Sequence, residues 1–175
     1  MRLRRTVRGE FDLIDRLVSR LPAGDGVTVG PGDDAAVLRP SPDRELVATT
    51  DTFVEGVHWD AAWMDAEAMG ARLAAANLSD LAAMAATPRW ALVSLGVGAS
   101  PVPETLEATQ RGLARALAKH GAAIVGGNVT RTRGAAWWSV TLLGEVAKGA
   151  AWTRFGARPG DLLAVTGRPG RAGAA

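Results

Sequence analysis

Residues 66–86, AEAMGARLAAANLSDLAAMAA, constrain the fold more than any other stretch. Alanine and leucine dominate the run, and both cost little in a helix, so it predicts one long helix. Asp80 stands out within it. Among small and apolar neighbours a carboxylate either faces solvent or faces a site, because burial without a partner is costly. A metal ion would settle that cost.

Around this helix, helix and strand signals follow one another. In GEFDLIDRLVSRL, Phe11, Ile14, Leu17, Val18 and Leu21 recur at helical spacing, which predicts an amphipathic helix ending near Pro22. LPAGDGVTVGPGDD is turn-rich, with one short strand at Val27–Val29. AAVLR and ELVATTDT read as strands on either side of the Pro-Ser-Pro-Asp turn at 40–43. WALVSLGVG, AAIVG and WWSVTLLGEV read as strands, ETLEATQRGLARALAKH after Pro103 as a helix, and DLLAVTG as a further strand after RPGD. Strands that can pair as neighbours, rather than strict alternation, favour an α+β fold with helices packed on one face of a mostly antiparallel sheet.

The 175 residues suffice for one well-cored domain, and 47% hydrophobic with 22% charged residues is a globular balance. Net charge is +2, and lysine is confined to Lys119 and Lys148. No basic run interleaved with aromatics points to nucleic acid, and Arg2, Arg4, Arg5 and Arg8 read as a solvated terminus. The absence of cysteine removes disulfides and thiol chemistry. No signal-peptide pattern or bilayer-length apolar run is present, so the expected setting is cytoplasmic without a membrane partner. The Gly/Ala-rich 167–175, GRPGRAGAA, reads as a tail or a linker to a further domain.

Four constellations carry candidate chemistry. In PGDDAAVL, Asp33 and Asp34 are adjacent carboxylates whose repulsion a hard cation such as Mg²⁺ would relieve; equally, both suit a solvated turn. Strand alternation would let at most one of the two reach a given ion. In VATTDTFVEGVHWD, hydroxyl, carbonyl and carboxylate oxygens of Thr49, Thr50 and Asp51 can converge on one ion, with Glu55 and His58 in the loop beyond. His58 suits contact with a phosphate or polar group, or a structural role. NLSDLAAM supplies Asp80. In IVGGNVTRTR, an apolar run, two glycines and a hydroxyl-plus-arginine cluster read as a strand feeding a phosphate-holding loop, with Asn128 where a carboxylate is expected.

GEFDLI, GDDAAVL, TTDTFVEGVHW, NLSDLAAMAATP, GGNVTRT and WTRFGARPGDLLAVTG follow the order and approximate spacing of thiamine-monophosphate kinase, and the chain resembles that family's amino-terminal domain over essentially its whole length. The wider superfamily includes aminoimidazole ribonucleotide synthetase. The resemblance implies residues 1–166 as an amino-terminal kinase-like domain that pairs through its sheet into a dimer-wide barrel, hence a homodimer. It implies Mg²⁺-dependent transfer of the γ-phosphoryl group of ATP to thiamine monophosphate, giving thiamine diphosphate. By motif, Asp34 is similar to a magnesium ligand, Thr49, Thr50 and Asp51 to a metal cluster, and Asp80 to an aspartate bridging several ions. His58 resembles a substrate contact, Gly127 and Asn128 part of the nucleotide-phosphate loop, and Arg154 an arginine contacting ATP. Bringing two phosphates together needs clustered cations, which accounts for a site rich in aspartate.

Two departures bear on activity. Where the family has GGD this chain has Gly126-Gly127-Asn128, so the loop keeps its shape and holds one ion more weakly, unless Asn128 merely caps a turn. The family's carboxy-terminal domain has no counterpart in these residues. The alternative expectation is therefore a non-catalytic relative, a dimerising nucleotide- or phosphate-binding module, and a third keeps the fold with a purine-pathway type of substrate.

Overall fold

In the computed structural model, which describes residues 9–98 and 102–170, the chain runs α1 (Glu10–Val18), β1 (Val27–Val29), β2 (Val37–Leu38), β3 (Arg44–Val54), α2 (Ala66–Ala83), β4 (Thr87–Val97), α3 (Pro103–Ala118), β5 (Ala123–Arg131) and β6 (Trp137–Ala147). Arg2, Arg4, Arg5, Arg8 and residues 171–175 of the tail lie outside the described residues.

Four strands form one mixed sheet in the order β3-β6-β4-β5. β6 is antiparallel to both β3 and β4, while β4 and β5 run parallel across the α3 connection. The expected antiparallel character holds, with one parallel edge pair. Alternation then divides each strand between two environments. Val93, Leu95, Val97, Trp138, Val140 and Leu142 point to one face and are buried under α2 and α3. The two helices touch backbone to backbone. A Cβ added at Gly70 would lie 2.0 Å from the Thr109 carbonyl oxygen, and one at Gly112 would lie 2.0 Å from that of Glu67. Only glycine fits at either crossing point. Asp65 starts α2 by accepting the Ala68 N–H at 2.7 Å, a side-chain N-cap.

The opposite face is open over most of its length. One end of it is covered by the β1–β2 ribbon, where Trp90, Ala123 and Val125 form a second small core with Val27, Ala36, Leu38 and Leu143. Glu145 ties that ribbon down. Only 5% exposed, it accepts the Ser41 N–H at 2.6 Å and the Ser41 hydroxyl at 2.8 Å, and the Arg89 Nε lies 3.6 Å away. Burial works against its charge, but the Ser41 donors and the Arg89 and Arg44 guanidinium groups outweigh it and hold the carboxyl below its ordinary range.

Three expectations need correction. DLLAVTG forms no strand, and Leu163 is fully exposed at 102%. A strand needs a neighbouring edge to accept its backbone groups, and among the described residues none pairs with 161–167. AAVLR shrinks to Val37–Leu38, because only that pair reaches β1. Phe11, counted on the apolar stripe of α1, is 83% exposed: α1 rests on α3 with Leu13 and Leu17 inward, which buries a narrow stripe.

Candidate functional site

Thr49, Asp51, His58 and Asp80, four of the residues singled out from sequence, lie along the seam between α2 and β3. Two tie points fix the pairing. At one, the Thr49 hydroxyl donates to Asp80 Oδ2 at 2.6 Å. At the other, the Arg72 guanidinium sits 5.7 Å over the Phe53 ring and donates to the His58 carbonyl oxygen at 3.3 Å. The helix thus runs antiparallel to the strand. From Arg72 to Asp80 it climbs about 12 Å, and from Phe53 to Thr49 the strand covers about 13 Å, so the two stay in step. Asp51 lies between Thr49 and Phe53 on the same, helix-facing side.

His58 closes one end of the seam. Its ring stacks on Phe53 at 5.5 Å and 14°, and Nδ1 accepts the Val54 N–H at 3.1 Å. That bond leaves Nε2 as the donor turned outward. At the other end, the Trp152 N–H donates to the Met84 carbonyl oxygen at 3.2 Å, one turn beyond Asp80, which brings exposed Arg154 to the carboxy-terminal end of α2. The seam therefore runs from His58 and Arg72 through Asp51 to Thr49 and Asp80, with Arg154 beyond.

Other candidates stand apart from it. Thr50 is on the opposite face, where its hydroxyl donates to the Val140 carbonyl oxygen at 3.1 Å and accepts from Thr141 at 3.2 Å. Asp33 and Asp34 occupy an exposed turn on the ribbon, with the Asp34 N–H donating to Asp33 Oδ1 at 2.8 Å. Among the described residues no hydrogen bond or ion pair joins that turn to the seam. Gly126, Gly127 and Asn128 are not a loop: they lie inside β5, which continues to Arg131. Neither does Asn128 cap a turn, since it pairs with Ser94 in the ladder. β5 and β3 are separated by three strand spacings, about 14 Å, so within one chain Asn128 cannot share an ion with Asp51. The glycine at 127 has a reason internal to the sheet, because a Cβ there would lie 1.9 Å from the Val93 carbonyl oxygen.

The seam's chemistry suits a hard cation. Asp51 and Asp80 have no cationic partner among the described residues; the ion pairs there join Arg16 to Glu104 and Glu107, Arg89 to Asp25 and Glu145, and Arg111 and Arg115 to Glu67. No three acidic, histidine or cysteine side chains of the described residues lie close enough to hold a metal by themselves. Any cation here must draw on other oxygens. The Thr49 hydroxyl is one. Asn77, overlooked in the sequence although it stands three residues before Asp80, is another: it is 0% exposed, donates Nδ2 to the Leu73 carbonyl oxygen at 3.1 Å, and leaves Oδ1 without a partner. Arg72 was also missed, although its place on the long helix, facing the aromatic end of TTDTF, follows from helical spacing.

Comparison with known proteins bears on this arrangement. Residues 32–146 match the family described as AIR synthase related protein, N-terminal domain. A thiamine-monophosphate kinase of Bacillus subtilis is 34% identical over 165 residues, 94% of this chain and 51% of that protein. The crystal structure of thiamine-monophosphate kinase from Stenotrophomonas maltophilia K279a superposes with a TM-score of 0.65 at 37% identity, covering 79% of this chain and 42% of that one. A solved complex of AaThiL with AMPPCP and TMP gives a TM-score of 0.62 at 30% identity, covering 90% of this chain and 47% of that one. The chain spans about half the length of the curated relatives it matches.

Proposed function

This chain belongs to the AIR synthase related proteins, as their N-terminal domain, and on that premise we propose that it is the amino-terminal half of an ATP- and Mg²⁺-dependent kinase converting thiamine monophosphate to thiamine diphosphate. The relatives that span it carry that activity in their names, and one solved neighbour holds AMPPCP and TMP. The observation that carries the reading is the seam: two carboxylates without cationic partners, Asp51 and Asp80, between a donor end at His58 and Arg72 and a second donor end at Arg154. In that arrangement Asp51, Asp80 and Thr49 hold Mg²⁺, His58 donates from Nε2 to the acceptor substrate, and Arg154 meets the nucleotide phosphates. Magnesium supplies screening of phosphate charge and geometric alignment. The remaining assignments of Asp34 and Thr50 to metal, and of Gly127 and Asn128 to nucleotide, require surfaces other than the seam.

A second copy provides them. We assign residues 1–166 to the domain and 167–175 to a tail, and the open sheet face to a homodimer whose paired sheets form a barrel. Thr50, Thr52, Ser94, Ser139, Thr141 and Asn128 all lie on that face, where polar rows from two copies can meet. The setting is cytoplasmic; no helix of the described residues is long and apolar enough to cross a membrane.

The test is incubation with ATP, Mg²⁺ and thiamine monophosphate, with thiamine diphosphate read by chromatography. Product formation, lost in Asp80→Asn, is expected; nucleotide binding without product supports instead the non-catalytic module, which the neutral Asn128 favours. Asn128→Asp is expected to tighten Mg²⁺ binding, and no gain in metal affinity or turnover would count against a metal role there.

A further inference from the structure

Among the described residues four buried side-chain polar atoms have no hydrogen-bond partner: Trp59 Nε1, Asn77 Oδ1, Arg89 Nε and Gln110 Oε1. Of the two oxygens, only Asn77 Oδ1 belongs to α2, the helix bank of the seam. The Asn77 amide is oriented unambiguously, because Nδ2 donates to the Leu73 carbonyl oxygen one turn back and the reverse assignment would set two oxygens together. With Nδ2 turned to the helix backbone, Oδ1 is turned away from it. The position along the seam is set by the two tie points. Asn77 falls five-eighths of the way from Arg72 to Asp80, which corresponds to a point beside Asp51 on the way from Phe53 to Thr49. An acceptor with no donor thus lies level with a carboxylate that has no cation, three residues before another such carboxylate.

A buried carbonyl oxygen left unbound carries a desolvation penalty, which a ligand at that oxygen would relieve. Carboxylate, amide and hydroxyl oxygens are carried on the two banks of the seam, and among the described residues no ion pair engages Asp51 or Asp80. The matching occupant is a hard divalent cation, which takes carboxylate, amide and hydroxyl oxygens together. We propose that Asn77 Oδ1 is a metal ligand of the seam, completing with Asp51, Asp80 and the Thr49 oxygen the set that the carboxylates alone do not fill. This deepens the kinase reading and rests on it for the identity of the ion. Asn77 supplies a neutral donor, so it adds coordination without adding repulsion between Asp51 and Asp80.

The experiment titrates the full chain with Mn²⁺ as a paramagnetic probe, with Mg²⁺ as competitor, and follows thermal unfolding with and without Mg²⁺. The wild type is expected to bind Mn²⁺ displaceably. Asn77→Leu is expected to weaken binding about tenfold or more while the metal-free midpoint stays level or rises, since an unbound acceptor has been removed. Asn77→Asp is expected to lower the metal-free midpoint and enlarge the rise produced by Mg²⁺. If Asp51→Asn abolishes Mn²⁺ binding but Asn77→Leu stays within about twofold of wild type, the Asn77 assignment is wrong and the seam remains a metal site. If the wild type binds no Mn²⁺ at millimolar concentration, both fail together. Should Asn77→Leu not fold, Asn77→Asp decides: an unchanged response to Mg²⁺ overturns the proposal.

Discussion

The two faces of the sheet are built from the same strands and differ in almost every other respect. Under α2 and α3, β4 and β6 present Val93, Leu95, Val97, Val140 and Leu142 to a dry core closed by two glycine crossings. On the open side the same strands and β3 present hydroxyls that satisfy one another, with Thr52 donating to Ser139 at 2.9 Å and Thr141 to Thr50 at 3.2 Å. The covered face holds the molecule together by burial. The open face is tiled with self-satisfied polar groups and a few exposed apolar side chains such as Leu92 and Leu46, a surface suited to a second protein layer. Stability is concentrated on one side, and assembly is expected on the other.

That contrast can be broken at its strongest point first. Gly112→Ala forces a methyl group against the Glu67 carbonyl oxygen and is expected to cost about 3 kcal/mol in urea unfolding, at the upper end for overpacking. A loss below about 1 kcal/mol would show that α2 and α3 can part. Next comes Glu145, where the ribbon meets the sheet. Glu145→Gln is expected to cost about 1–3 kcal/mol at neutral pH by removing a charged acceptor from Ser41. Its lowered pKa sets the sign of the pH effect. The contribution is fully present above the unfolded value of about 4.3 and fades as pH falls through the folded value, so the variant's stability declines less steeply in acid. A parallel decline in both proteins would contradict this. On the open face, Leu92→Arg is expected to shift light scattering from dimer to monomer at micromolar concentration, with unfolding of the monomer changed by about 0.5 kcal/mol or less. A wild type that is already monomeric removes the assembly half of the contrast. Ser139→Ala should have the smallest effect, within about 0.5 kcal/mol, because exposed Thr52 can donate to water instead.

Most of the element order was legible because its signals are local. The alanine- and leucine-rich composition of 66–86 and the strand residues of ELVATTDT and WWSVTLLGEV survive in α2, β3 and β6. GGN misled because glycines signal turns, whereas Gly127 is demanded by the Val93 carbonyl of a neighbouring strand, a long-range fact. DLLAVTG carries a strand's residues without a strand's partner. At the site, Thr49 and Asp51 on one face with Thr50 on the other follow from a period of two, so treating all three as one cluster overlooked information the sequence held. The missing partner of Asn77 Oδ1 was not readable, since absence of a hydrogen bond is a property of packing.

The glycine contacts have a mechanical consequence. Because Gly70 and Gly112 press backbone on backbone, α2 cannot slide along α3 without collision, and Arg72, Asn77 and Asp80 ride on a fixed rail. Adjustment of the seam to a ligand is thereby left to its other bank, where the segment after β3 carries His58 with Val57 and Trp63 uncovered while Trp59 anchors it in the core.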